Sequence, residues 1–199
     1  MIIPDGSPFR QIIGDVRTAF EKAEQYLKED ELVDCGLLIP AVNQLRYAGE
    51  HLARALCLDD AEKSRNALNE SLNHCYRAVF DALEVKTQFY LGECQDFEKI
   101  YGNINITPVI PSYLEDSKAV REIQNTVPKM RRPGENRYQF WDKLENLASS
   151  LQTIHAKWMD ARQELNKCLK KDRRDTRRFW IGLILAVAGL IASICWSKG

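Results

Sequence analysis

The 199 residues carry 28 cations and 28 anions, but the balance is uneven along the chain. With the six cations of 170–178 and Lys198 set aside, 21 cations face 26 anions in residues 1–169, a mild acidity that excludes a broad nucleic-acid surface built on net charge. The six cysteines, Cys35, Cys57, Cys75, Cys94, Cys168 and Cys195, occur singly with no CxxC pair, which excludes a zinc site or disulfide framework of recognisable spacing and leaves them as small apolar core or membrane residues.

The opening segment, MIIPDGSPFR, lacks a basic region followed by a long apolar one, so no secretory signal is expected. Ser7-Pro8 then places a cap and a proline at a helix start. Phe9, Ile12, Ile13, Val16, Phe20, Ala23 and Leu27 follow as one apolar stripe. A second helix is expected from about Leu37 to Leu58, ended by Asp59-Asp60, which also caps the next. That third helix runs from near Ala61 to about Ile100, with Leu68, Leu72, Cys75, Val79, Ala82 and Phe89 on its inner side.

Gly102-Asn103 breaks it, and a connector with two prolines leads to Pro111. Ser112-Tyr113-Leu114-Glu115 has the form of a capping box, so a further helix starts there and is interrupted around Pro128. Arg131–Asn136 reads as a turn. Beyond it Leu144, Leu147, Leu151, Ile154, Trp158, Ala161, Leu165 and Cys168 recur at spacings of three and four, a heptad seam. Burial within one antiparallel bundle is preferred for this seam over an intermolecular coiled coil. With no proline or glycine between Asn136 and Phe179, the helix is expected to continue into the next segment as one rod.

That segment, Phe179 to Trp196, is eighteen residues without a formal charge, with Trp180 and Trp196 near its ends. At 1.5 Å per residue it is about 27 Å long, the thickness of a bilayer's hydrocarbon core, and reads as a transmembrane helix. Lys170, Lys171, Arg173, Arg174, Arg177 and Arg178 form a basic collar before it, which places the larger part of the chain on the cytoplasmic side and attracts anionic lipid headgroups. Its final position predicts a tail-anchored protein. Gly182, Ala186, Gly189 and Ser193 offer a small-residue face for helix association in the bilayer. The expected organisation is a cytoplasmic helical bundle over 1–135, a heptad-patterned helix with its collar over 136–178, a membrane helix over 179–196 and a tail of 197–199. No stretch alternates at period two, so the fold class is all-α, an antiparallel helical bundle whose long C-terminal helix leads into a single membrane span.

Chemistry has few places to sit, because the chain has three histidines. Two, His51 and His74, lie on helices expected to form a hairpin turning near residue 60. Residues whose numbers sum to about 120 then lie level, Arg46 with His74 and His51 with Asn69. Arg46 and Glu50 share a face at i and i+4, while Glu70, His74, Arg77 and Asp81 make a stripe on the third helix. A histidine flanked by arginine has the makings of a general acid or base towards a ribose hydroxyl, with the arginine stabilising a phosphorane. A network of salt bridges on a solvated helix face is the other reading of the same residues. Nothing in the sequence calls for a metal or cofactor.

The segments LRYAGEHLARAL, Leu45–Leu56, and LNHCYRAVFDALE, Leu72–Glu84, resemble the helical HEPN superfamily of prokaryotic toxins and phage-defence effectors. Arg46 and His51 match its R-x4-6-H pattern, which in nuclease members supplies metal-independent RNA cleavage at a cleft between two protomers. Many members are instead non-catalytic binding modules. Tyr47 directly after the arginine, where catalytic members often carry a polar residue, and the early place of the motif point to that second group. The resemblance and the span together imply a membrane-anchored, non-catalytic sensor or effector in a prokaryotic inner membrane. Its expected partners are lipids, a second copy of the chain, and a cytoplasmic protein or nucleotide-type ligand. A membrane-tethered ribonuclease acting on RNA, and a structural tethering protein, are the alternatives.

Overall fold

The computed structural model describes residues 9–32, 39–131 and 140–196, and side chains within 9–29, 39–130 and 140–189. All regular structure among the described residues is helical: α1 (Arg10–Leu32), α2 (Ile39–Cys57), α3 (Ala61–Tyr101), α4 (Tyr113–Thr126), a 3₁₀ turn (Val127–Arg131), α5 (Trp141–Asp160) and α6 (Arg162–Trp196). The all-α expectation holds. The start proposed at Ser7-Pro8, residues 37 and 38 of the second helix, and 132–136 of the turn lie outside the described residues.

α3 is the spine, with α1, α2 and α5 all packed along it. Its start is capped as the sequence predicts, Asp60 Oδ1 accepting from the backbone N–H groups of Glu62 at 2.9 Å and Lys63 at 3.1 Å. Its end requires Gly102. A Cβ there would lie 2.6 Å from the Glu98 carbonyl oxygen, which accepts the Gly102 N–H at 2.8 Å. α1 buries Val16, Ala19, Ala23 and Tyr26, and α2 turns Ala41, Ala48 and Ala55 inward. Those three alanines, seven apart, lie on the inner face of α2, which packs along α3.

The heptad seam is used inside the chain. Leu144, Ala148, Leu151, Ile154 and Trp158 of α5 and Leu165 of α6 are buried, and Trp158 stacks near Phe97 of α3 and Tyr113 of α4, centroids 4.8 and 5.3 Å away. The rod expected from Asn136 is divided: α5 begins at Trp141, and a turn at Ala161 separates α5 from α6. There the Ala161 N–H to Lys157 carbonyl bond is stretched to 3.4 Å, while Leu165 resumes the ladder at 3.1 Å from Ala161. The capping box at Ser112 does not form. Its hydroxyl donates to Asp116 Oδ2 at 2.9 Å and accepts from Lys157 Nζ at 3.0 Å, so a partner from α5 takes the group that the local pattern assigns to the helix start. The interruption at Pro128 falls where proline places it, in the 3₁₀ turn. Cys75 and Cys94 are core residues as expected, whereas Cys57 is exposed at the end of α2.

No helix among the described residues is long and apolar enough to cross a membrane. The run that begins at Phe179 has described side chains as far as Gly189, all of them exposed; residues 190–196, Ser193 included, lie outside that description. The collar cations Lys170, Lys171, Arg173, Arg174, Arg177 and Arg178 line α6 and are also exposed.

Candidate functional site

The α2–α3 hairpin is registered by two buried serines. Ser64 Oγ donates to the Ala55 carbonyl at 3.1 Å and Ser71 Oγ to the Ala48 carbonyl at 2.8 Å, pairs whose numbers both sum to 119, as the sequence predicts. Each hydroxyl finds an acceptor on the facing backbone, so burial leaves neither unpaired.

One edge of this hairpin is aromatic and polar. His51 and His74 stack with ring centroids 5.1 Å apart and planes 16° from parallel, and Tyr47 tilts against His74 at 5.4 Å. His74 Nδ1 lies 2.7 Å from Gln44 Oε1, an acceptor, so Nδ1 carries a proton and neutral His74 presents its lone pair on Nε2. Burial lowers the His74 pKa from its ordinary value, and the charges of Arg77 and His51 act in the same direction against the opposing pull of Glu70 and Glu50. His51 Nε2 is 3.8 Å from Glu50 Oε2.

Arg46 does not join this group. It is exposed, with its guanidinium 4.9 Å from the Tyr47 ring centroid. Arg46 lies level with His74 as the register requires, but residues 44, 47 and 51 are the ones that meet His74 on this side. Glu50, Glu70 and Arg77 are exposed and Asp81 half-buried, so the polar stripe lies along a solvated edge. Beside it, His51, Arg54, Lys63, Asn66 and Glu70 border a groove of about 220 Å³. Within one chain, Arg77 is the cation whose charge reaches His74, and Arg54 and Lys63 border the groove beside His51. Among the described residues no three metal-ligating side chains lie close enough to hold an ion.

No family model matches this chain. No curated protein and no solved structure is significantly similar to it either.

A second polar cluster escaped the sequence reading. Between α1, α3 and α5 lies a cleft of about 340 Å³ where Lys86 pairs with Glu29 at 2.8 Å and Lys22 with Glu145 at 3.2 Å. Tyr26 donates to Glu145 through a short hydrogen bond, and burial together with that carboxylate raises the Tyr26 pKa. A signal was present in the sequence. Lys86 follows Val79 and Leu83 on the inner stripe of α3 and precedes Tyr90, a lone charge where the period calls for an apolar residue.

Proposed function

We propose that this protein is a membrane-anchored, non-catalytic helical module of HEPN type, a sensor or effector of a prokaryotic defence response whose N-terminal bundle faces the cytoplasm. The observation that carries the non-catalytic reading is the placement of Arg46 outside Tyr47, away from the stacked His51 and His74. A phosphoryl-transfer site needs its cation aimed where charge develops, and Arg46, the cation of the motif, rests on Tyr47 instead.

The anchor is supported by α6 beyond Arg178. Phe179, Ile184 and Leu185 are 64–67% exposed on a helix apolar on every side, the pattern of a segment covered by hydrocarbon, with the basic collar suited to the headgroups. Gly182, Ala186 and Gly189 would serve close helix packing there.

Self-association is supported by the outer face of α2. Ile39, Val42, Arg46, Gly49, Ala53 and Leu56 recur at spacings of three and four and all are exposed. A glycine in mid-helix costs about 1 kcal/mol relative to alanine, yet among the described residues nothing beyond its chain neighbours and its own helix's backbone lies within 4 Å of a Cβ built on Gly49. A second copy laid antiparallel would bring Ile39 to the second copy's Leu56, Val42 to its Ala53, and Arg46 over its Gly49 beside its Glu50.

That pairing also keeps alive a second reading, a membrane-tethered ribonuclease using Arg46 and His51, because it would carry each Arg46 towards the other chain; the groove that His51 borders with Arg54 and Lys63 favours it. Induced expression separates the two. The intact chain, a chain truncated before Phe179 and an Arg46→Ala/His51→Ala double variant are compared for growth arrest, with total RNA examined in parallel. Arrest lost on truncation alone, with RNA intact, supports the membrane module. Arrest kept on truncation but lost in the double variant, with RNA cleaved, overturns it in favour of the nuclease.

A further inference from the structure

The cleft between α1, α3 and α5 has no role in that proposal, and two ion pairs line it. Burying an ion pair rarely stabilises a fold more than apolar side chains of the same volume would, because desolvation offsets the attraction. Lys86 is nevertheless held with its side chain 10% exposed, beside Leu83 and Tyr26. Its partner Glu29 is half-exposed and is held below the ordinary carboxylate range chiefly by that hydrogen bond, so the pair ties α1 to α3 and also sets a polar wall of the cleft.

Hydrogen-bonding capacity is left over on both signs. An ammonium has three N–H donors. Among the described residues Lys86 Nζ has one acceptor, Glu29 Oε2, and Lys22 Nζ has one, Glu145 Oε2, while lying 4.5 Å from the centroid of the Trp141 ring. Glu29 accepts from Lys86 and Gln25, and Glu145 from Lys22 and Tyr26, which leaves lone pairs on each carboxylate. The cations and anions are matched two against two, Lys22 and Glu29 on α1, Lys86 on α3 and Glu145 on α5, over a floor of Leu83 and Ala148.

A ligand with one sign of charge would meet repulsion from half of this lining. A molecule carrying both signs a few bonds apart would meet a complement for each. The volume, at the lower end for small-molecule sites, suits about ten heavy atoms. From these relationships we infer that the cleft is a binding site for a small zwitterion of the free amino acid class, its carboxylate on Lys86, its ammonium on Glu145 and its side chain over Leu83 and Ala148. The site stands apart from the α2–α3 seam and does not depend on the membrane reading.

Titration calorimetry of the full chain in detergent micelles tests this, using the free amino acids one at a time, with acetate, inorganic phosphate and methylammonium as single-sign probes. The expected result is saturable one-to-one binding of at least one amino acid, weakened about tenfold or more in Lys86→Met and in Glu145→Gln. Ser149→Phe, an exposed position on the rim whose substitution spares the core, should block binding while helix content and thermal midpoint are kept. Binding that survives Ser149→Phe, acetate or phosphate binding as tightly as any amino acid, or no binding by any amino acid overturns the inference.

Discussion

The imidazole of His74 lies almost flat against that of His51, 5.1 Å between centroids, while its Nδ1–H is held by Gln44 at 2.7 Å. Two stacked imidazoles that both charge repel each other, and burial disfavours the His74 cation further. His74 therefore titrates below its ordinary value in the folded chain. The unfolded chain takes up that proton first as pH falls. The contribution of this group to stability is thus complete above about pH 6.5, its unfolded value, and declines as pH drops from there towards the lower folded value. The His74 ring proton should show a midpoint below 6.5 by NMR, and the thermal midpoint of His74→Gln should depend less on pH between 7 and 5 than that of the parent. A midpoint at or above 6.5 would contradict the burial argument.

Gly49→Ala should raise the stability of the chain by about 0.5–1 kcal/mol, since the new methyl meets no described group beyond its own stretch of helix and mid-helix glycine is costly. Gly49→Leu should leave the fold intact and separate associated copies. Denaturant midpoints read the first effect and sedimentation in detergent the second. Association unchanged in Gly49→Leu would remove α2 as the contact face.

Trp158→Ala should cost about 3–5 kcal/mol, because the side chain is fully buried between Phe97 and Tyr113 and its removal leaves a cavity where α3, α4 and α5 meet. Chemical denaturation followed by far-ultraviolet circular dichroism measures it. A loss under 1 kcal/mol would mean that α5 is not docked on α3 as described.

Asp60→Ala should cost about 1 kcal/mol by removing two hydrogen bonds at the start of α3. Asp60→Asn or Asp60→Ser should recover most of it, and equal losses in all three would point to something other than capping.

Much of the architecture follows from local pattern. The capping of α3 by Asp60, the proline interruption after α4 and the α5 seam are all legible because a helix repeats every 3.6 residues and end signals act within one turn. The hairpin register was legible for the same reason: a short turn after Cys57 leaves little freedom in how α2 lies on α3. Ser112 marks where this reasoning stops, since its hydroxyl is taken by Asp116 and by Lys157, a residue 45 positions away.

What the sequence by itself determined is therefore the helical class, the apolar stripes of α1, α3 and α5 and the antiparallel pairing of α2 with α3, because each depends on interactions a few residues apart; the break between α5 and α6 at Ala161 was not among them. Only the tertiary structure decided which polar groups meet. It set Arg46 outside Tyr47 when the motif invited a pairing with histidine, and it joined Glu29 to Lys86 across 57 residues and Tyr26 to Glu145 across 119. The reason is physical: a side chain's partner across a bundle depends on the rotation and height of two packed helices, which hydrophobic burial along their whole lengths decides, and no spacing within one segment records it.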